Sequence, residues 1–263
     1  MSVQQGTAMA EAPILEVRNL VKKFGGLIAV NDVSLDIRAG EVVGLVGDNG
    51  AGKSTLIKCV SGVHRPDGGH IIFEGRQVNF TRPIDAREAG IETIYQDLAL
   101  AGNLDVSANI FLGREVKKRY LFGAVRTLDE SRMLEESSGI LDNLGIHIPQ
   151  MRKEIEKLSG GQRQAVAIAR AIYWNARMMI MDEPTNNLGV PEQRKVMQLI
   201  DTLKSQRVPV IFISHTLPDV FAATDRIIVM HRGRKVAELT TAETDATEVV
   251  EYMVGAREPD AAA

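Results

Sequence analysis

The chain has 263 residues, of which 44% are hydrophobic, 25% are charged and 5% are aromatic. This composition is ordinary for a globular protein with a sizeable buried core, and it excludes disordered and collagen-like chains. A formal net charge of −3 disfavours a generally basic nucleic-acid binder. The single cysteine, Cys59, excludes an intrachain disulfide and fits a reducing compartment, and we expect it to be a packing residue.

The two ends of the chain are small and polar. Residues 1–12 carry neither the basic nor the apolar region of a signal peptide. No apolar run approaches the roughly 18 residues that cross a bilayer, so we expect a soluble, cytoplasmic protein. The sequence predicts flexible ends at 1–12 and 257–263 and one domain over residues 13–256, without internal repeats.

The first predicted strands lie at 14–19 and 33–37, where polarity alternates on either side of a turn at Gly25-Gly26. They indicate an antiparallel β layer. Five later apolar runs lack alternation, as strands buried on both faces of a parallel sheet do. These runs are 42–46, 91–95, 178–181, 210–213 and 227–230, and the last of them pairs with 235–239 in a hairpin.

The stretch from about 97 to 157 differs from the rest of the chain. It has few strand signals and a helical pattern that includes Met133, Leu134, Leu141 and Leu144. It predicts a helical subdomain inserted at about 97–175. The expected fold is therefore α/β, with a mainly parallel sheet, an N-terminal antiparallel β layer and this inserted helical subdomain.

A glycine-rich loop follows the strand predicted at 42–46 and precedes a helix predicted at 54–60. It matches G-x-x-x-x-G-K-[ST] in full, with the residues Gly47, Asp48, Asn49, Gly50, Ala51, Gly52, Lys53 and Ser54. Glycines let backbone N–H groups curl around phosphate oxygens, and the helix N-terminus adds positive potential. We expect Lys53 to reach the β- and γ-phosphates of a nucleotide, Ser54 to ligate Mg²⁺ and Thr55 to complete the nucleotide-binding set. The alternative is a glycine-rich turn with an incidental lysine.

Two acids end the strand predicted at 178–181. Asp182 is expected beside Ser54, where it would hold Mg²⁺ through water. Glu183 is one residue further, so its side chain points elsewhere, towards an attacking water, which is the position of a general base. The alternative is a solvated acidic turn.

A third motif opens the helix that carries Val166 and Ile168. Its residues are Ser159, Gly160, Gly161 and Gln162, with the S-x-x-Q spacing of a capping box. A well-capped helix start is therefore one interpretation. Two glycines weaken the first turn and leave backbone N–H groups open to an anion, which is the other interpretation.

Together with the glycine-rich loop and Asp182-Glu183-Pro184, this segment resembles the ATP-binding cassette ATPases, over about residues 15–254. The resemblance implies a P-loop NTPase core and gives roles to three further residues. Phe24 matches the aromatic that stacks on adenine, and Gln96 matches the glutamine that touches Mg²⁺ and senses a transmembrane partner. His215 matches the switch histidine at the γ-phosphate. Taken singly, each of the three fits a packing or capping role better; it is their occurrence together and in this order that supports the resemblance.

The resemblance also implies a mechanism. Two cassettes face each other head to tail, and ATP lies between the glycine-rich loop of one and the 159–162 segment of the other. A chain with one cassette is therefore expected to form a homodimer with ATP at the interface. The implied catalytic residues are Lys53, Glu183 and His215, the implied metal ligands are Ser54, Gln96 and Asp182, and the implied cofactors are ATP and Mg²⁺.

One position departs from the family pattern. After Pro184 the family usually reads Thr-x-x-Leu-Asp, with the Asp helping to couple the two sites. This chain reads Thr185, Asn186, Asn187, Leu188 and Gly189. The departure removes no residue from the chemistry itself.

Within the family, residues 89–98 and 109–115 look like those of ribose, xylose and fructose importers, and residues 217–220 look most like the fructose-type subunit. This implies an ATP hydrolase/translocase that powers monosaccharide uptake, with fructose as a candidate. Transmembrane permease subunits and, indirectly, a periplasmic sugar-binding protein are the implied partners, and nucleic acid is not. The implied location is peripheral, on the cytoplasmic face of the plasma membrane.

Three alternatives remain. The chain could serve an importer of another small solute, or it could be a non-transport cassette acting on nucleic acid or the ribosome. The latter class usually carries long coiled-coil insertions, tandem cassettes or basic extensions, which are not visible here. A regulatory cassette without turnover is disfavoured because Lys53, Asp182, Glu183 and His215 are all present.

A basic cluster interleaved with aromatics lies in the predicted helical subdomain. It comprises Arg114, Lys117, Lys118, Arg119, Tyr120, Phe122 and Arg126. It could contact the inner leaflet or the loops of a permease. It could equally be a solvated face.

Overall fold

The computed structural model describes residues 12–95, 97–120 and 125–258. Its strands are β1 Leu15–Phe24, β2 Leu27–Ile37, β3 Val42–Val46, β4 Gly68–Phe73, β5 Arg76–Val78, β6 Ile91–Ile94, β7 Lys117–Tyr120, β8 Val125–Leu128, β9 Met178–Asp182, β10 Val210–Ile213, β11 Arg226–His231 and β12 Arg234–Thr240. Its α-helices are α1 Lys53–Val60, α2 Pro83–Ala89, α3 Val106–Ile110, α4 Glu130–Asn143, α5 Gly160–Tyr173, α6 Val190–Ser205, α7 Leu217–Ala223 and α8 Ala246–Val254.

The central sheet has six strands in the order β12-β11-β3-β10-β9-β6. The neighbours from β11 to β6 pair in parallel, and only β12 is antiparallel, to β11. All five runs that lacked polar alternation are strands of this sheet. The prediction of a mainly parallel sheet is confirmed.

A second sheet is antiparallel, with the order β2-β1-β4-β5. Its first two strands confirm the predicted β layer, and both are longer than predicted because they run up to the turn at Gly25-Gly26. Register shifts in β1 disturb the alternation of its second half, which hid that half from the sequence. The pair β4 and β5 was not predicted, since β5 has only 3 residues.

The two faces of the parallel sheet bury two separate cores. Along β9, Met178 and Ile180 face the core shared with the antiparallel sheet and α1, whereas Met179 and Met181 face the core shared with α5 and α6. All four side chains are fully buried. Burial on both faces explains why the strand shows no polar alternation.

The range 97–175 contains α3, α4 and α5. Met133 and Leu141 of α4 are buried, as the helical pattern implied. The hairpin of β7 and β8 also lies in this range and was not predicted. None of the helices in the described part of the chain combines the length and apolar character that a membrane span requires.

Most of the predicted flexible ends lies outside the described residues, which begin at Ala12 and end at Glu258. Arg257, the first residue of the predicted flexible C-terminal end, contacts residues of α8. Its guanidinium lies 2.8 Å from a carboxylate oxygen of Glu248 and 5.0 Å from the centre of the Tyr252 ring.

Candidate nucleotide-binding site

Three adjacent strands end at one edge of the parallel sheet, and each is followed by a predicted site segment. The register pairs Leu45 of β3 with Ile213 of β10, and Ile213 with Asp182 of β9. The glycine-rich loop, His215 and the acids Asp182 and Glu183 therefore leave the sheet at the same level. The carboxyl ends of strands are where open α/β sheets bind ligands.

Two glycines of the loop touch backbone from other parts of the chain. A Cβ atom on Gly47 would lie 2.3 Å from the carbonyl oxygen of Met230, and one on Gly52 would lie 2.4 Å from that of Ala29. Both glycines have positive φ, 147° and 100°. The turn between β11 and β12 braces the loop further, because the Gly233 N–H donates to the Ala51 carbonyl at 2.9 Å. Larger residues at 47 and 52 are excluded by this packing.

Lys53 begins α1 and folds back over the loop. Its ammonium donates hydrogen bonds to the carbonyls of Gly47 and Asp48, the second at 3.1 Å. Burial lowers the pKa of Lys53 below its ordinary value, and the carboxylates of Glu183, Asp48 and Asp182 oppose that shift. The lysine thus already lies in the electrostatic field of both predicted acids.

Asp182 is half-buried at the end of β9. Burial is the main cause that raises its pKa, and Glu183 adds to the rise, while Lys53 and Lys58 act against it. A cation bound here would offset the repulsion between the Asp182 and Glu183 carboxylates. The described residues contain no cluster of three or more His, Cys, Asp or Glu side chains that could hold a metal by itself. One carboxylate and the Ser54 hydroxyl suit Mg²⁺, which takes its other ligands from water and phosphate.

Glu183 and His215 face each other across β9 and β10. Nδ1 of His215 lies 2.8 Å from Oε2 of Glu183. Glu183 has a left-handed backbone, with φ of 53°, and its N–H donates to the Ile213 carbonyl at 2.9 Å. Non-glycine residues adopt this conformation rarely and concentrate at functional sites. The backbone geometry therefore turns the Glu183 side chain away from the direction of β9.

A cleft of about 510 Å³ lies over the glycine-rich loop. Residues 48–55 line it together with Phe24, a residue that is 43% exposed. The Phe24 ring lies edge-on to the His64 ring, with 5.2 Å between the ring centres. Several lining residues were not predicted from the sequence. They come from the β1–β2 and β11–β12 hairpins and are Leu27, Ile28, Ala29, Arg232 and Gly233. The apolar pair Leu27-Ile28, exposed after two glycines, was the signal that could have revealed them.

The 159–162 segment is a capped helix start. Ser159 Oγ accepts from the Gln162 N–H at 3.3 Å, and Gln162 Oε1 accepts from the Ser159 N–H at 3.0 Å. A Cβ atom on Gly160 would lie 2.6 Å from Leu188, and one on Gly161 would lie 2.7 Å from Glu192. The glycines thus let α5 pack closely on the start of α6. None of residues 159–162 lines the cleft over the glycine-rich loop.

Three other predictions have different outcomes. Gln96 lies outside the described residues, as does Phe122 of the basic cluster. Arg114 of that cluster stacks on the Trp174 ring, 4.7 Å from its centre, so part of the cluster packs within the chain. Cys59 is fully buried in the core beneath α1, and burial raises the pKa of its thiol to about 11.

Comparisons with known proteins agree with this geometry. The sequence profile of the ABC transporter family matches residues 30–186. The xylose/arabinose import ATP-binding protein of Sulfolobus acidocaldarius is 49% identical over 91% of this chain and 93% of its own length. The fructose import ATP-binding protein of Rhizobium meliloti is 43% identical over 95% of this chain and 97% of its own length.

The solved structures that match this chain are also ATP-binding cassettes. The ADP conformation of an ATP-binding cassette of an ABC transporter matches with a TM-score of 0.78 and 28% identity, over 93% of this chain and 99% of that one. A dimeric ATP-binding cassette in a post-hydrolysis state, bound to ADP and phosphate, matches with a TM-score of 0.69 and 25% identity, over 86% and 98% of the two chains. On its sequence, its fold and the geometry at its sheet edge, this chain belongs to the ABC transporter family of ATP-binding cassettes.

Proposed function

We propose that this chain is the ATP-hydrolysing subunit of an importer for a monosaccharide. The observation that carries the hydrolytic part is the shared sheet edge, where Lys53, Asp182 and the Glu183–His215 pair come together. Two relatives that match this chain over more than nine-tenths of their own length are named as xylose/arabinose and fructose import ATP-binding proteins. These names support a sugar as the cargo. Fructose is one candidate among these sugars.

The chain's own residues supply most of the proposed chemistry. The cleft binds ATP with the adenine against Phe24 and the phosphates on the N–H groups of residues 47–53. The Lys53 ammonium stabilises negative charge on the γ-phosphoryl oxygens. Glu183 accepts the proton of the attacking water, and His215 orients the Glu183 carboxylate.

Mg²⁺ fits this site through Asp182 and Ser54, and the family resemblance adds Gln96, which lies outside the described residues. When bound, it would neutralise charge on the phosphate oxygens. The half-buried Asp182, whose pKa is raised, is the observation that supports a cation there.

The proposed assembly is a homodimer with two ATP molecules at its interface. Ser159, Gly160, Gly161 and Gln162 do not reach the chain's own cleft, so in this proposal they complete the site of the second copy. The dimeric cassette among the structural relatives supports this arrangement. The first-turn N–H groups of α5 lack intrahelical acceptors and suit a phosphate.

The remaining partners follow from the importer assignment. Transmembrane permease subunits provide the passage, and a periplasmic binding protein selects the sugar. The chain then acts peripherally, on the cytoplasmic face of the plasma membrane.

Uptake of a panel of pentoses and hexoses, including fructose, in cells lacking the gene tests this proposal. We expect one sugar's uptake to be lost, and restored by the wild-type gene but not by Glu183→Gln. Parallel measurement of MgATP hydrolysis by the purified chain separates the two parts of the proposal. Hydrolysis with unchanged uptake of every sugar would remove the sugar assignment and leave the ATPase.

A further inference from the structure

The segment that carries Glu183 leaves the sheet edge in a tight turn. The Asn186 N–H donates to the Glu183 carbonyl at 3.1 Å, and Asn187 has a positive φ of 58°. Together with the left-handed Glu183, two residues of this turn have backbone conformations that are costly outside glycine. Such a turn holds its geometry only when other parts of the chain fix it.

Thr185 provides one such fixed point. Its side chain is buried, with 3% of the residue exposed, and its hydroxyl donates a hydrogen bond to Asp219 Oδ2 at 2.6 Å. Hydrogen bonds to a carboxylate are shorter and stronger than those between neutral groups. Neither residue belongs to the motifs assigned to nucleotide binding.

Asp219 is itself fixed relative to the glycine-rich loop. It lies in the first turn of α7, which begins two residues after His215. The next residue, Val220, is fully buried, and its Cγ1 would lie 2.9 Å from a Cβ atom on Gly44 of β3. Since β3 leads into the glycine-rich loop, the helix that carries Asp219 is packed directly on the strand that positions this loop.

Two contacts therefore join the same two segments. Glu183 contacts His215 at 2.8 Å, and two residues further along, Thr185 contacts Asp219 at 2.6 Å. A single contact would leave the segment that carries Glu183 free to pivot, whereas two contacts define the position of that segment. Catalytic groups must be held to a fraction of an ångström to keep their rate advantage.

We propose that Asp219 is a positioning residue for ATP hydrolysis, which acts through Thr185 to hold the Glu183 segment on the helix that follows His215. The inference rests on the proposed ATPase function. It differs from a purely structural role, in which Asp219 would serve only as an acid in the first turn of α7. In that role, removing the Thr185 hydroxyl would not matter.

A double-mutant cycle tests the proposal, with kcat measured from steady-state MgATP hydrolysis and the Kd for MgATP measured separately. Thr185→Val is isosteric and removes the donor, and Asp219→Ala removes the acceptor. We expect each to lower kcat about 5- to 20-fold while the Kd for MgATP changes less than about twofold, and the double variant to be no slower than either single variant. Thr185→Ser and Asp219→Asn keep a hydrogen bond and should stay within about threefold of wild type.

Two variants at exposed positions of α6 and α8 serve as matched controls. Asp201→Ala and Thr247→Val make the same chemical changes away from the site and should leave kcat unchanged. Thermal unfolding of every variant shows which are folded at the assay temperature, and Thr185→Ala, which also removes the donor, carries the test if Thr185→Val is not.

Additive losses, a Kd that rises in step with the fall in kcat, or a Thr185→Val enzyme with wild-type kcat would overturn the inference. Wild-type hydrolysis that Glu183→Gln abolishes establishes the ATPase function separately, so a flat response at Asp219 would then remove this inference alone. A wild-type chain without hydrolysis would remove both.

Discussion

Oε2 of Glu192 lies 2.9 Å from the place that a Cβ atom on Gly189 would occupy. Gly189 is the residue at which this chain lacks the family's usual Asp, and it precedes the first turn of α6. Its φ of −70° is open to any residue, so backbone strain does not require a glycine. Gly189 is the N-cap of α6, a position that favours Asp, so the nearby Glu192 carboxylate opposes an acid here only through charge repulsion.

We therefore expect Gly189→Asp to change the free energy of unfolding by less than about 1 kcal/mol, because repulsion from the Glu192 carboxylate opposes the gain of an N-cap acceptor for the first turn of α6. Urea unfolding at low and high salt measures this, because salt screens the repulsion. Glu192→Gln removes the repulsion, and Gly189→Asp should then stabilise the fold. A loss larger than about 2 kcal/mol that neither salt nor Glu192→Gln reduces would contradict the prediction.

Glu183→Gln should lower the rate of ATP hydrolysis at least about 10²-fold, because an amide cannot accept the proton of the attacking water. The amide oxygen can still contact His215, so nucleotide binding should persist. An ATP-bound dimer should then accumulate in size-exclusion chromatography with saturating MgATP. Glu88→Gln, at an exposed acid of α2, is the matched control and should hydrolyse ATP normally.

Ser159→Arg should stop hydrolysis while the isolated subunit still binds nucleotide, because residue 159 is outside the chain's own cleft. Ser159→Ala removes the helix cap without adding bulk and so controls for the loss of capping, which by itself costs about 1 kcal/mol. Nucleotide affinity and turnover are measured on the same preparations. Unaltered turnover in Ser159→Arg would reject the shared-site arrangement.

Gly52→Ala and Gly50→Ala compare two loop glycines that both have positive φ, 100° and 83°. Alanine is strained at either position, but only at Gly52 would its Cβ meet a backbone atom, the Ala29 carbonyl, whereas nothing lies within 4 Å at Gly50. We expect Gly52→Ala to lose about 1–3 kcal/mol more of the free energy of unfolding than Gly50→Ala. Equal losses would show that the close approach has no energetic weight.

Cys59 should resist alkylation in the native protein. With a pKa of about 11, roughly one thiol in a thousand is ionised at pH 8, and the side chain is also fully buried. Iodoacetamide labelling at pH 8, followed by mass spectrometry, should therefore report only on unfolding events. Labelling should rise steeply through the urea transition, and rapid labelling in buffer alone would contradict the buried placement.

The strands were predictable from the sequence where the residue pattern of a segment directly reflects how that segment is buried. Runs such as 42–46 and 178–181 lack alternation because both faces of their strands are buried, and that property is local to the run. The hairpin of β7 and β8 and the pair β4–β5 were missed because strands of three to six residues give little periodicity.

By itself, the sequence determined the chemistry available to this protein. The loop at 47–54, which we propose binds phosphate, and the acids at 182 and 183 are contiguous residues whose backbone positions follow from a strand and a turn. Only the tertiary structure decided which of these groups meet. Strand order places β10 between β3 and β9, which brings His215 to Glu183. The packing of α5 on α6 keeps residues 159–162 away from the chain's own cleft and sets Glu192 against Gly161. Contacts between residues distant in sequence depend on how elements pack, and no local pattern records that.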